Sequence, residues 1–151
     1  MSPDFRVGFL TGIAFMILVI VLIGLWPARA ETPWLTVPLG SYHFDREGKH
    51  NERNFGIGVK HFVSERNVIA GGVYRNSNDI DSGYLLGGRC FYRSTYVCGG
   101  ALFGLVTGYE RHAILIGGLA VTLHSKTWGI TVLGFPKDGG VIGLQVERRF
   151  W

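Results

Sequence analysis

The sequence predicts an all-β protein, an eight-stranded antiparallel transmembrane β-barrel that follows an N-terminal signal peptide. Three observations predict it: an apolar N-terminal run that ends in a cleavage-site pattern, a series of strand-length segments separated by turns, and an aromatic C-terminus. Apolar residues make up 47% of the 151 positions and charged residues 17%, which excludes a disordered chain. The 23 glycines exceed average usage, and glycine in strands lets a sheet bend and close tightly.

The N-terminal run from Val7 to Trp26 is almost entirely apolar. Small residues follow it at Ala28 and Ala30, which is typical of a signal-peptidase site. We therefore predict a signal peptide over residues 1–30 and a barrel domain over residues 31–151. A run of this length could also remain as an N-terminal membrane anchor, and both alternatives export the rest of the chain.

The exported part divides into eight strand-like segments of about ten residues, a length that crosses a bilayer when the strand is tilted. The predicted strands are Val37–Phe44, Asn54–Val63, Val68–Asn76, Gly83–Tyr92, Tyr96–Thr107, Ala113–Leu123, Thr127–Phe135 and Val141–Phe150. Turn-forming residues separate several of them, for example in the segment 136–140. A sheet that spans a membrane must close, because an open edge leaves backbone groups unpaired in lipid.

The last predicted strand places Ile142, Leu144, Val146 and Phe150 on one face, and the chain ends in aromatic residues. Such a terminal strand favours an outer membrane of the Gram-negative type. Alternation alone leaves open a lipocalin-like soluble barrel, in which the apolar face points inward. An inner-membrane-anchored soluble barrel that binds a lipid is a further alternative.

With both termini in the periplasm, every second connection faces the outside. These connections are Asp45–Arg53, Ser77–Ser82, Gly108–His112 and Pro136–Gly140. Cys90 and Cys98 flank a turn centred on Ser94, and two cysteines in an oxidising compartment predict a disulfide. Their symmetric spacing predicts a pair directly opposed across one hairpin, at the periplasmic end.

If the apolar side chains face lipid, several polar ones must face the interior, in the periplasmic half of their strands. These are Lys60, Arg89, Gln145, Glu147 and Arg149. Because buried charges must pair, we expect Glu147 to pair with Arg89 or with Lys60. The upper half would be lined by small or apolar residues, namely Gly56, Leu85, Gly87, Val141 and Gly143. Such an interior is either a chamber for a hydrocarbon chain or a packed structural plug.

Several segments resemble the lipid A palmitoyltransferase (PagP-like) family of outer-membrane barrels. The carrying segments are Tyr42-His43, Asn51-Glu52-Arg53 with Gly56 and Gly58, Gly72 to Ser77, and the aromatic strand Val146 to Trp151. The family transfers a palmitoyl chain from a phospholipid to lipid A. The resemblance implies that His43 relays a proton and that Ser77 supplies a hydroxyl at the outer rim. Asn76 stands where the family has an aspartate, and we assign it the orienting role.

The sequence thus leads to two hypotheses. The first is an enzyme that transfers or hydrolyses an acyl chain on lipid A or phospholipid, with His43, Asn76 and Ser77 as catalytic residues. The second is a non-catalytic barrel that alters the cell surface or binds a ligand or a protein. In both, we expect a monomer that contacts lipopolysaccharide and phospholipid, without nucleic acid, cofactor or metal. Basic residues that could hold lipopolysaccharide phosphates are Arg46, Lys49, Arg53, Arg111 and Lys137.

Overall fold

A computed structural model describes residues 32–45, 50–109, 112–136 and 139–150. Its strands are β1 (Trp34–His43), β2 (Gly56–Phe62), β3 (Asn67–Arg75), β4 (Asp81–Arg93), β5 (Val97–Tyr109), β6 (His112–His124), β7 (Trp128–Phe135) and β8 (Val141–Arg149). Each strand pairs antiparallel with the next, and β8 pairs with β1, so the sheet is a closed barrel. The predicted eight-stranded barrel is confirmed. The predicted signal peptide over residues 1–30 lies outside the described residues.

The connections divide between the two ends of the barrel. The terminal end carries the start of β1 and the end of β8, and its connections are the short segments 63–66, 94–96 and 125–127. The loop end carries the other four connections, of which 44–55 is the longest. The four connections predicted to face one side do share one end. Within the described ranges, no helix is both long enough and apolar enough to span a membrane.

Side chains alternate between the interior and the outside along each strand. On β6, Leu115 is 78% exposed and Leu119 is 65% exposed, whereas Thr122 is 5% exposed and hydrogen-bonds Thr131 of β7 inside the barrel. On β1, Trp34 and Thr36 are buried at 3% and 1%. The large aliphatic side chains of this wall therefore point outward, which is the reverse of a lipocalin-like barrel.

Strand β1 differs from the prediction at its start and in its middle. It begins at Trp34, three residues before the predicted Val37, because Trp34 and Thr36 pair with both neighbouring strands. The register to β8 shifts between Pro38 and Gly40. Simple alternation places Leu39 and Ser41 on the same face as His43, opposite Tyr42 and Phe44, and predicts that this face points inward. The bulge reverses the alternation, so Leu39 is exposed. His43 itself is 5% exposed and faces the interior, as predicted.

The predicted orientation of β4 is wrong. Leu86 and Cys90 face the interior, so Leu85, Gly87 and Arg89 point outward, and Arg89 is exposed. The residue pairs Leu-Leu and Gly-Gly in this strand give no alternation from which to read its phase. The phase is set by packing: Cys90 forms a buried cluster with the inward-facing side chain of Phe62.

The predicted disulfide between Cys90 and Cys98 is confirmed, with 5.7 Å between the Cα atoms. The register shifts at a bulge just after Cys90, so Cys90 lies opposite Gly100 and Cys98 lies opposite Arg93. The bond therefore runs diagonally between the strands rather than between directly opposed residues. The bulge adds a residue that the symmetric spacing of the cysteines does not reveal.

Candidate functional site: the interior and its rim

On the side of β1, β2, β7 and β8, the terminal half of the interior holds a polar network. Glu147 is 1% exposed and forms an ion pair with Lys60, which is 7% exposed. Its carboxylate also accepts hydrogen bonds from Thr131 Oγ1 at 2.6 Å and Gln145 Nε2 at 2.8 Å. Of the two predicted partners for Glu147, Lys60 is the correct one, because Arg89 points away from the interior. A buried carboxylate with this many donors is fully compensated.

Aromatic rings complete this network toward the terminal end. The Lys60 ammonium lies 5.8 Å from the centre of the Trp34 ring and 5.6 Å from that of Phe62. The Arg149 guanidinium lies 5.9 Å from the Trp34 ring, which is consistent with the predicted inward position of Arg149. We call these charged, polar and aromatic side chains the floor; they occupy the side of the lower interior that is formed by β1, β2, β7 and β8.

Beside and above this floor lies a cavity of about 210 Å³, which extends past the floor to Phe62, Val68 and the Cys90–Cys98 disulfide. Its walls include Leu86, Leu102, Val106, Ile114, Ile116, Leu133 and Val141. Tyr84 also lines the cavity, and its hydroxyl oxygen lies 3.3 Å from that of Thr36. The cavity is mainly apolar, and polar groups reach it from the floor and from the rim at the loop end.

His43 belongs to the rim because it is the last residue of β1. Its Nε2 atom lies 3.3 Å from the Ser41 hydroxyl, and that hydroxyl donates a hydrogen bond to the side-chain oxygen of Asn54. The His43 ring also stacks on the ring of His50, with centroids 4.2 Å apart and planes inclined by 11°. The imidazole is thus held on two sides by groups from β1 and from the first loop.

The first loop is tied into the wall where β1 and β2 separate. These strands are paired at Trp34 to Thr36, and above that level the loop takes over the backbone bonds. The Ser41 N–H donates to the Glu52 carbonyl at 2.9 Å, and the Arg75 N–H donates to the Phe55 carbonyl at 2.9 Å. Segment 51–55 therefore closes the wall beside His43 with a fixed backbone.

Asn76 follows β3 and is fully buried, at 0% exposed. Its Nδ2 donates to Ser82 Oγ at 2.8 Å and to the Gly108 carbonyl at 2.9 Å. Its Oδ1 accepts from the backbone N–H groups of Asn78 at 2.9 Å and Ile80 at 3.0 Å. These four bonds use the full capacity of an asparagine amide. Asn76 therefore fastens the β3–β4 turn to β5, and it is not among the residues that line the cavity.

Ser77 is the next residue but faces a different environment. It is 7% exposed and lines the cavity, and its hydroxyl lies 3.4 Å from the Tyr109 hydroxyl. Tyr109 in turn lies 3.4 Å from the Tyr74 hydroxyl. The Ser77 carbonyl accepts a 2.8 Å bond from the Asn51 N–H, which links Ser77 to the loop that holds His43.

The structure thus brings His43 and Ser77 to the same cavity, while Asn76 is directed into a turn. Three further residues of this rim, His50, Asn54 and Tyr109, were not predicted as site residues from the sequence. The asparagines at Asn51 and Asn54 lie in and beside the triplet that carried the family resemblance, and this was the available signal. Across the described ranges, no group of three or more potential ligands is arranged to hold a metal ion.

Comparisons with known proteins give a likeness in fold. No family model matches the chain, and no curated protein matches it. A similar solved structure is the backbone structure of the outer membrane protein Ail of Yersinia pestis in a phospholipid bilayer nanodisc. The two share 13% sequence identity with a TM-score of 0.45, over 79% of this chain and 99% of that one. A likeness of this degree carries no information about activity.

Proposed function

We propose that the protein spans an outer membrane as a monomeric β-barrel and takes the hydrocarbon chain of a lipid into its interior. The membrane assignment rests on the outer surface. Apolar side chains there are exposed on neighbouring strands, for example Phe103 at 69%, Leu115 at 78% and Leu119 at 65%. A continuous apolar surface of this kind is characteristic of a face that contacts lipid.

Aromatic side chains border this surface at both ends. At the loop end they are Tyr42, Phe44 and Phe55, and at the terminal end they are Phe91, Tyr92, Tyr96, Trp128 and Phe150. From Ile142, which pairs with Tyr42, to Phe150 the chain rises about 26 Å, at about 3.3 Å per residue. With a strand tilt of about 40°, this corresponds to about 20 Å of depth, close to the apolar band of outer-membrane barrels.

The cavity supports the lipid-binding part of the proposal. Its apolar walls suit a hydrocarbon chain, and at the terminal end it is lined by Phe62, Val68 and the Cys90–Cys98 disulfide. At the upper limit, His43 and Ser77 provide polar groups for the carbonyl or headgroup of an amphiphile. Lipid A, lipopolysaccharide and phospholipid are the proposed partners, since all carry acyl chains.

A second candidate function is acyl transfer or hydrolysis at this rim. It is favoured by one observation: an imidazole and a serine hydroxyl, both at least nine-tenths buried, line the same cavity. In this mechanism His43 accepts a proton as the Ser77 hydroxyl, or a water, attacks the ester carbonyl. His43 then returns the proton to the alcohol oxygen that leaves when the ester C–O bond breaks. The four hydrogen bonds of Asn76 support a structural role for that residue rather than the orienting role that the family resemblance implies. In this respect they favour the non-catalytic alternative.

Two experiments test the proposal. The first is membrane fractionation with heat-modifiable gel mobility, which should recover a folded barrel in the outer membrane; recovery in the inner membrane with residues 1–30 retained would reject it. N-terminal sequencing of the same material decides whether cleavage follows Ala30.

The second experiment is the binding of a fluorescent fatty acid to the purified protein. Replacing Ala120, which lines the cavity, by phenylalanine should weaken binding at least about tenfold by filling the space.

Mass spectrometry of lipid A from cells with and without the protein separates the two functions. Transfer adds the mass of an acyl chain, hydrolysis removes one, and a non-catalytic barrel leaves lipid A unchanged. If a change occurs, His43→Ala and Ser77→Ala should abolish it. Thr95→Ala, a hydroxyl lost at the opposite end of the barrel, is the matched control and should leave it intact.

A further inference from the structure

The charges of the described residues are distributed unequally between the two ends. At the terminal end, six cationic side chains accompany a single exposed carboxylate, that of Glu65, if the buried pair of Lys60 and Glu147 is set aside. The six cations are Arg66, Arg89, Arg93, Lys126, Arg148 and Arg149. At the loop end, Arg53 and Arg75 are outnumbered by Asp45, Glu52, Asp79 and Asp81.

At the loop end, the charge of Arg75 is already neutralised. Arg75 forms ion pairs with Asp79 at 2.9 Å and with Asp81 at 3.0 Å. Of the five basic residues that the sequence offered for lipopolysaccharide phosphates, Arg53 alone lies within the described ranges. The described part of the loop end is therefore not a basic surface, whereas the terminal end is.

The cations of the terminal end encircle the barrel. Arg66 lies in the β2–β3 turn, Arg89 on β4, Lys126 in the β6–β7 turn and Arg148 on β8. All four are exposed, and we call them the basic collar. Arg89 pairs in register with Asn67, the first residue of β3, so it lies at the level of the Arg66 turn although it is inside a strand.

The basic collar coincides with the aromatic border of the apolar surface. The Arg148 guanidinium lies 5.2 Å from the centre of the Trp128 ring, and Trp128 is 54% exposed. Phe91, two residues after Arg89 on the same outward face, is 66% exposed. Arginine beside interfacial aromatic rings is placed where lipid headgroups lie, with its stem on the apolar side and its charge on the polar side.

We propose that the basic collar binds the phosphates of anionic glycerophospholipids in the leaflet that surrounds the terminal end. A ring of separate cations around a barrel matches a sheet of headgroups, whereas a protein or a single ligand would need the charges on one side. Short turns are typical of the periplasmic end of such barrels, so this leaflet is the inner one of the outer membrane. The inference rests on the proposed membrane insertion, and it also orients the barrel.

The test uses the full chain in phosphatidylcholine vesicles that contain spin-labelled phosphatidylglycerol or spin-labelled phosphatidylcholine. Electron paramagnetic resonance gives the motionally restricted fraction of each lipid, and hence their relative association constant. We expect phosphatidylglycerol to be preferred several-fold at low salt, with the preference reduced at 0.5 M salt because the charges are screened. A variant with Arg66, Arg89, Lys126 and Arg148 all changed to glutamine should lose most of this preference.

Two controls make the result specific. Changing the three arginines Arg66, Arg89 and Arg148 to lysine keeps the charge and should keep the preference. Arg53→Gln at the loop end should leave the preference unchanged. Equal restriction of both lipids by the unaltered protein would overturn the proposal while membrane insertion stands. Displacement of the restricted phosphatidylglycerol by added lipopolysaccharide would also overturn it. If neither lipid is restricted, membrane insertion itself is rejected.

Discussion

The two ends of the interior bury polar groups in different ways. Around Glu147, each polar side chain contributes to one network that neutralises a single carboxylate. At the loop end, two adjacent residues have different roles. The Asn76 amide is hydrogen-bonded within the β3–β4 turn, whereas Ser77 lines the cavity. Burial alone therefore does not indicate function, because Asn76 is the more buried of the two and the less available to a ligand.

The largest effect on stability is expected at the floor, where Glu147 is buried with its ion-pair partner. Replacing Glu147 by glutamine leaves the Lys60 charge buried without its counter-ion, and we expect a loss of about 3–5 kcal/mol in the free energy of unfolding. Urea titration of the folded fraction by gel mobility measures it. The double variant Lys60→Met/Glu147→Leu should recover most of the loss, and Arg148→Gln on the outer face should change stability by less than about 0.5 kcal/mol. A double variant as unstable as the single one would contradict the assignment.

Reduction of the Cys90–Cys98 bond should have the next largest effect. The cross-link closes a short loop of the terminal half, and its removal should cost about 2–3 kcal/mol through the larger entropy of the unfolded chain. We expect a Cys90→Ala/Cys98→Ala variant to unfold at lower urea. Both cysteines line only the terminal part of the cavity, so fatty-acid binding in the folded protein should change much less than in Ala120→Phe. A loss of binding as large as that of Ala120→Phe would show that this part of the cavity also contacts the acyl chain.

Asn76 and Ser77 give the sharpest test of the division at the loop end. Asn76→Ala should cost about 2 kcal/mol, because backbone N–H groups of the turn lose their acceptor. Asn76→Asp should also destabilise the protein, since a carboxylate oxygen would face the Gly108 carbonyl where an N–H now donates. Ser77→Ala should cost less than about 1 kcal/mol and act instead on ligand binding or acyl chemistry. A stable Asn76→Asp protein with raised acyl activity would support the orienting role expected from the family resemblance.

The sequence could predict the strands because alternation and turn residues are local signals. It could not predict the phase of β4 or the bulges beside Pro38 and Cys90, since packing across the interior decides these. The inward position of His43 was predicted correctly although Leu39 was assigned to the wrong face, because the bulge lies between Leu39 and the upper part of β1. The distinct roles of Asn76 and Ser77 depend on contacts with β5, far along the chain, and no local pattern contains them.

The smallest expected effect is a dependence of the β3–β4 turn on pH. The Arg75 guanidinium donates a hydrogen bond to Asp79, and with its positive charge it holds the pKa of that carboxyl below its usual range. A lowered pKa in the folded state means that the contribution to stability is complete above the ordinary pKa of aspartate and is lost as the pH falls through the lowered value. Because Asp79 is exposed, the effect is local: at acid pH we expect lower protection of the Asn78 and Ile80 amides, measured against the intrinsic exchange rate at each pH, with global unfolding unchanged. Asp79→Asn should remove the pH dependence of that protection, whereas the same dependence in the variant would assign it to another group.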